Sequence, residues 1–135
     1  MPIKVAFIGA GSVGFTRGLT LDMLKVPELQ DTRFAFHDIS RQNLEMVAQL
    51  CRKDISANKL PAKLSTTLNR RKALDGAAYV ITCTRIVGLE SFQTDIDIPL
   101  PYVVAQFVVD TLSSVAIISF PPLLPHILPF PPHLP

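Results

Sequence analysis

Gly9, Gly11 and Gly14, with Ala10, Ser12 and Val13 between them, have the spacing that can wrap a diphosphate. At the first position glycine allows a tight strand-to-helix turn. At the second, a missing Cβ lets the backbone approach a pyrophosphate, and at the third it lets the helix pack close to the strand. Free N–H groups and the dipole at the start of the following helix favour an anion there. Asp38 stands 24 residues past Gly14, where a carboxylate can accept hydrogen bonds from ribose hydroxyls and repel a 2′-phosphate. Gly9, Ala10, Gly11, Ser12, Val13, Gly14 and Asp38 are therefore expected to bind a dinucleotide. Asp38 favours NAD over NADP, and Arg41 nearby works the other way. A plainer role for Asp38 is to cap the loop before Ser40. Arg85 joins the candidate cofactor contacts because it follows a fourth predicted strand, at the edge where ligands gather in such sheets.

These residues need strand, turn, helix and strand in order, and the chain supplies them. The apolar run Lys4-Val5-Ala6-Phe7-Ile8 reads as a buried parallel strand. A helix is expected from Ser12 to about Lys25, with Leu19, Leu21 and Leu24 as its apolar face and Pro27 at its exit. Arg33 to Asp38 reads as a second strand. Ser40 is an expected N-cap for a helix ending near Asn58, with Leu44, Val47, Cys51 and Ile55 on one buried stripe. Lys63 to Thr67 suits a third strand, Arg70 to Asp75 a short helix stopped by Gly76, and Tyr79 to Thr84 a fourth strand. The expected fold class is α/β: a partial Rossmann-type, doubly wound parallel sheet of about four strands, with an irregular proline-rich C-terminal tail.

Composition sets the outer limits. The chain has 135 residues, which suits one domain, and a net charge of +2. So small a charge gives no reason to expect nucleic acid or an anionic membrane as partner. All 13 Lys and Arg lie at or before Arg85, and seven of the 12 prolines fall between Pro121 and Pro135. Prolines at that density forbid a regular helix and argue against a membrane span. The expected division is a dinucleotide domain over 1–118 and an irregular apolar tail over 119–135. Cys51 and Cys83 form no metal-type cluster, and both are expected to be core residues in a reducing, cytoplasmic compartment. The absence of a signal peptide points the same way. Asp95 and Asp97 alternate with Ile96 and Ile98, so on a strand both carboxylates share a solvated face. His126 and His133, seven apart in the tail, match no usual zinc spacing.

Several segments together resemble the family 4 glycoside hydrolases, in their α-glucosidase/α-galactosidase branch. They are Ile8-Gly-Ala-Gly-Ser-Val-Gly-Phe-Thr-Arg-Gly18, Val26-Pro-Glu-Leu-Gln-Asp31, Asp38-Ile39, and Ala73-Leu-Asp-Gly76 before Tyr79-Val-Ile81. Gly88-Leu-Glu90 and the segment from Thr94 to Leu100 are similar to what such enzymes carry after the fourth strand. The resemblance implies a glycosidase that is an exception to the two-carboxylate rule. Bound NAD transiently oxidises the sugar's C3 hydroxyl, which acidifies the C2 proton; elimination expels the C1 group, water adds, and the hydride returns. The resemblance also implies a divalent metal, usually manganese, and a small sugar or glycoside as substrate.

The similarity fades toward the C-terminus. Where the family tends to carry three glycines, this chain has Ser113, Val115 and Ala116, side chains that would strain or block a glycine loop. Beyond Ser119 no resemblance is recognised. The family's metal ligands and tyrosine base lie further along its sequence, so no catalytic residue and no metal ligand is expected here. The expectation is a truncated or frame-shifted product, inactive alone.

Two rivals remain on the sequence alone: an NAD-dependent dehydrogenase of the lactate/malate type, and a non-catalytic nucleotide-binding module docking through the apolar tail. The first would need a catalytic histidine with a carboxylate partner after a fifth strand. A homo-oligomer is compatible with the sequence, which specifies no oligomeric state.

Overall fold

The computed structural model describes residues 2–84, 93, 96, 97 and 100–102. The chain divides between Thr84 and Arg85 into two units, and the sheet belongs to the first. Its strands are β1 (Lys4–Ile8), β2 (Arg33–His37), β3 (Lys63–Thr67) and β4 (Tyr79–Thr82), in the order β3-β2-β1-β4. All pairings are parallel, with Phe7 beside Phe36 and Ile81 across the sheet. The step from β3 over β2 and β1 to β4 reverses the strand order beside β1. That reversal is the switch point at which doubly wound sheets bind ligands, beyond the C-terminal ends of their strands.

Alternation within β1 and β2 sends Val5, Phe7, Phe34 and Phe36 to one face. There they form the core with Leu24 of helix α1 (Gly18–Lys25) and with Leu44, Val47, Ala48, Cys51 and Ile55 of α2 (Arg41–Ala57). The α2 stripe is the one expected from the spacing, with Ala48 added. Ser40 caps α2 as expected, its hydroxyl accepting from the Asn43 N–H at 3.3 Å. A short helix α3 (Arg70–Leu74) is capped by the Asn69 side chain and ends before Gly76, whose φ of 63° is the left-handed stop. At its C-terminal end Lys4 Nζ donates to the carbonyls of Lys72 and Asp75, where the helix dipole favours a cation.

The expected helix from Ser12 to Lys25 forms differently. Val13–Arg17 make a π-type turn, and only from Gly18 does the α-helix run. The wider turn shifts the helical phase, so Thr16, Thr20 and Leu24 are buried while Leu19 is exposed. In the second unit, Leu100–Tyr102 form a 3-10 turn. Ile96 and Asp97 have helical backbone, and Gln93 donates to the Asp97 carboxylate at 2.8 Å. That is one helical turn's spacing, so Ile96 and Asp97 do not lie on the strand that would put alternate carboxylates on one face. Asp95, the 118/119 boundary and the tail with His126 and His133 lie outside the described residues.

Candidate functional site

The strand-to-helix turn is built at the C-terminal ends of β1 and β2. The Gly9 and Ala10 N–H groups both donate to the His37 carbonyl, each at 2.9 Å. This doubly bonded carbonyl bends the chain off the end of β1. Gly9 has a φ of 86°, and a Cβ there would lie 2.6 Å from the Cys83 carbonyl oxygen. Glycine is needed at this position on both counts.

Gly11 is required for a reason the spacing did not reveal. Its N–H donates to Asp38 Oδ2 at 2.7 Å, and a Cβ would stand 2.8 Å from that same oxygen and 3.0 Å from the Asn43 Cβ. The other oxygen, Oδ1, accepts from the Ser40 N–H at 2.8 Å. Asp38 is thus both the loop cap and a brace for the glycine turn. Each carboxylate oxygen has a second lone pair still able to accept a ligand hydroxyl.

Gly14 overturns its expected packing role. A Cβ there would meet nothing within 4 Å, so the glycine is not needed for helix-to-strand contact. Its surroundings form an open cradle that a side chain would begin to fill. Ser12 provides no side-chain cap, and the first N–H groups of such a turn have no partner within it. Open space at Gly14 and uncapped N–H groups fit a diphosphate. Gly9 to Gly14 and Asp38 therefore come together at one edge, whereas Arg85 lies outside the described residues.

Two features of this unit were missed by reading spacing alone. Arg17, at the end of the π turn, forks onto Asp54 of α2, with Nε to Oδ2 at 2.7 Å and Nη2 to Oδ1 at 3.0 Å. The fork holds the Arg17 guanidinium above its ordinary range and the Asp54 carboxyl below its own. Only a residue-by-residue search for distant opposite charges could have raised this pair, and composition offers many others.

His37 is buried with Nδ1 unpartnered. Burial pushes its pKa below the ordinary 6.5, Asp38 opposing and Arg70 assisting. The unfolded histidine therefore binds a proton more readily than the folded one, and stability is lost as pH falls below about 6.5. Thermal melts from pH 8 to pH 5 should show this acid limb. His37→Asn should flatten it, and an unchanged limb in that variant would refute the assignment.

The cysteines carry no chemistry in the described unit. Cys51 is in the core and burial pushes its thiol up to about 11; Cys83 is only partly buried and its thiol is also raised. Such thiols are poor nucleophiles. Among the described residues no cluster of three or more His, Cys, Asp or Glu could hold a metal, so the described residues offer no site for the divalent ion that the resemblance implies. Nor, among the described residues, is any helix long and apolar enough to cross a membrane. A cleft of about 400 Å³ lined by Leu21, Leu24, Lys25, Gln30, Asn58 and Leu60 involves none of the glycine-turn residues.

Comparison with known proteins bears on this site. The sequence profile described as Family 4 glycosyl hydrolase matches residues 4–129, running past 118 into the proline-rich segment. An alpha-galactosidase of Rhizobium meliloti is 47% identical over 127 residues, covering 94% of this chain and 26% of that protein. The 6-phospho-beta glucosidase of Thermotoga maritima, solved with manganese, NAD+ and glucose-6-phosphate, superposes with a TM-score of 0.70 at 25% identity. It covers 93% of this chain and 30% of its own. A malate dehydrogenase of Cryptosporidium parvum superposes at 0.51 with 24% identity, covering 64% of this chain and 26% of its own. That likeness shows a shared fold alone. The chain spans about a quarter of the length of the curated relatives it matches. With a Rossmann-like sheet, a glycine turn braced by Asp38, and a match over nearly its whole length, this chain belongs to the family 4 glycosyl hydrolases.

Proposed function

We propose that this chain is the NAD-binding portion of a glycosidase of α-galactosidase or α-glucosidase type, which hydrolyses O-glycosyl bonds in carbohydrate metabolism. The observation that carries the reading is the glycine turn at the switch point, open at Gly14 and braced at Gly11 by Asp38. Gly9, Ala10, Gly11, Ser12, Val13, Gly14, Asp38 and Arg85 are the proposed cofactor contacts. Backbone N–H groups of Val13 to Phe15, ahead of the first bond from Thr16 to the Ser12 carbonyl, would take the diphosphate, and Asp38 would accept from ribose hydroxyls while its existing bonds hold Gly11 in place. NAD, when bound, supplies reversible hydride acceptance from the sugar.

No catalytic base and no metal ligand is assigned to this chain, and it is proposed to bind cofactor without hydrolysing glycosides alone. Turnover of a nitrophenyl α-glycoside dependent on NAD and manganese would overturn that part. The remaining proposals are a domain over 1–118, an apolar tail over 119–135, a cytoplasmic location suited to two free cysteines, self-association into a homo-oligomer, and a sugar or glycoside as the small-molecule partner.

The test is thermal unfolding of the 135-residue chain with and without NAD. Ligand at a hundredfold excess over its Kd should stabilise the fold by about 2.7 kcal/mol. Asp38→Ala should abolish most of that shift, because it removes the ribose acceptor and frees the Gly11 N–H. A wild-type melt unmoved by millimolar NAD would sink the proposal.

A further inference from the structure

Arg17 and Asp54 are not needed by any of the proposed cofactor contacts, yet they form a bidentate ion pair between the π turn and α2. The π turn they anchor is poorly supported by its own sequence. Gly14 and Gly18 flank β-branched Thr16, a composition with weak helix propensity. A Cβ at either glycine would meet nothing within 4 Å, so no packing stands behind those positions. The Gly18 N–H is shared between the Gly14 and Phe15 carbonyls, and the Thr20 hydroxyl donates back to the Thr16 carbonyl at 2.7 Å. Both bonds lie within the segment and do not tie it to the sheet; burial of Thr16 and Thr20 fixes which face turns inward but leaves the turn's tilt against α2 to other contacts. The fork from Arg17 restrains that tilt, because two parallel N–H···O bonds resist rotation as a single contact does not.

Helix α2 also reaches the other end of the glycine turn. Asn43, in its first turn, stands against Gly11, and Asp54, toward its C-terminal end, holds Arg17. One rigid helix therefore sets the positions of both ends of the cradle. We propose that Arg17 and Asp54 are positioning residues for diphosphate binding, acting through the backbone N–H groups of the π turn and not by touching the ligand. With Nε and Nη2 both committed to Asp54, Arg17 is engaged away from the cradle. This inference rests on the cofactor reading and adds to it the device that aims the turn.

The test compares NAD, ADP-ribose and adenosine as ligands of the wild-type chain and of Asp54→Asn and Arg17→Lys, by calorimetric titration. The two variants should bind NAD and ADP-ribose roughly three- to fivefold more weakly. Adenosine, which carries no phosphate, should bind them as it binds wild type. Amide exchange at Gly18 in the ligand-free chain should be faster in both variants. Arg17→Lys, which keeps the charge but loses the fork, guards against a variant that simply fails to fold. Equal weakening for all three ligands would assign the pair a merely structural role and overturn the inference. So would unchanged NAD affinity. A wild-type chain that binds none of the three would overturn the cofactor reading, and this inference with it.

Discussion

Gly9→Ala is expected to destabilise the chain by about 2–5 kcal/mol, combining a left-handed backbone penalty of about 1–2 with overpacking of about 1–3. Neither component can relax cheaply. The φ of 86° is imposed by the two hydrogen bonds that Gly9 and Ala10 make to the His37 carbonyl. The atoms a Cβ would strike are the Cys83 carbonyl oxygen at 2.6 Å and carbon at 2.8 Å, both backbone, and the Thr84 Cγ2 at 2.9 Å. Cys83 in turn donates its N–H to the Ile8 carbonyl at 2.8 Å, so moving it unzips the end of the β1–β4 pairing. In a domain of this size each kcal/mol is worth about 4–8 °C in Tm, so the melting shift should be unmistakable. Gly14→Ala is the contrast. Its Cβ enters open space, and removing a flexible glycine from a helical turn should leave Tm unchanged or raise it slightly. The same methyl would crowd a diphosphate, so NAD binding should weaken in a variant that is no less stable. A Gly9→Ala chain as stable as wild type would mean that the turn is free to move and that no rigid cradle exists.

The two glycines also mark what spacing can and cannot disclose. The order strand, glycine turn, helix, strand and acid was legible because each step is a local rule: a buried apolar run, a φ that only glycine tolerates, an acid at the end of the next strand. The α2 stripe from Leu44 to Ile55 and the strand from Lys63 to Thr67 were legible for the same reason, since their periods are intact. The π turn was not. Helical periodicity assumes a constant phase, and a wider turn between Val13 and Arg17 moves the buried face from Leu19 to Thr16 and Thr20. The reason for Gly11 was hidden as well. Its neighbour across the turn is Asp38, and a separation of 27 positions carries no periodic signal linking them. The Arg17–Asp54 fork, 37 residues apart, was invisible for that reason too. Local conformation could be read from residue types, whereas the long-range contacts that aim the site could be read only from the fold. The family resemblance carried what neither could: the expectation of sugar chemistry.

Phe36→Ala should cost about 3–5 kcal/mol, the usual range for deleting a buried aromatic ring. Phe36 is fully buried, edge-on to Phe7 with ring centroids 5.2 Å apart and tilted to Phe34 at 6.3 Å. Removing it opens a cavity between the sheet and α2 that the two remaining rings, Phe7 and Phe34, cannot close by a rotamer change. Phe36→Leu, which keeps most of the volume, should cost less than about 1.5 kcal/mol. Urea denaturation would measure both, with an unchanged m-value showing that the denatured state is not the cause. Phe34→Ala serves as the comparison, since Phe34 is equally buried on the same face and its loss should be similar in size. The two should part on cofactor binding. Phe36 adjoins His37, whose carbonyl holds Gly9 and Ala10, and lies two residues from Asp38, which holds Gly11. Phe34 lies on the strand away from those contacts. At a temperature where both variants remain folded, Phe36→Ala should therefore weaken NAD binding more than Phe34→Ala does. Equal weakening would mean that the core supports the cradle only through overall stability, and that the end of β2 has no special part in holding it.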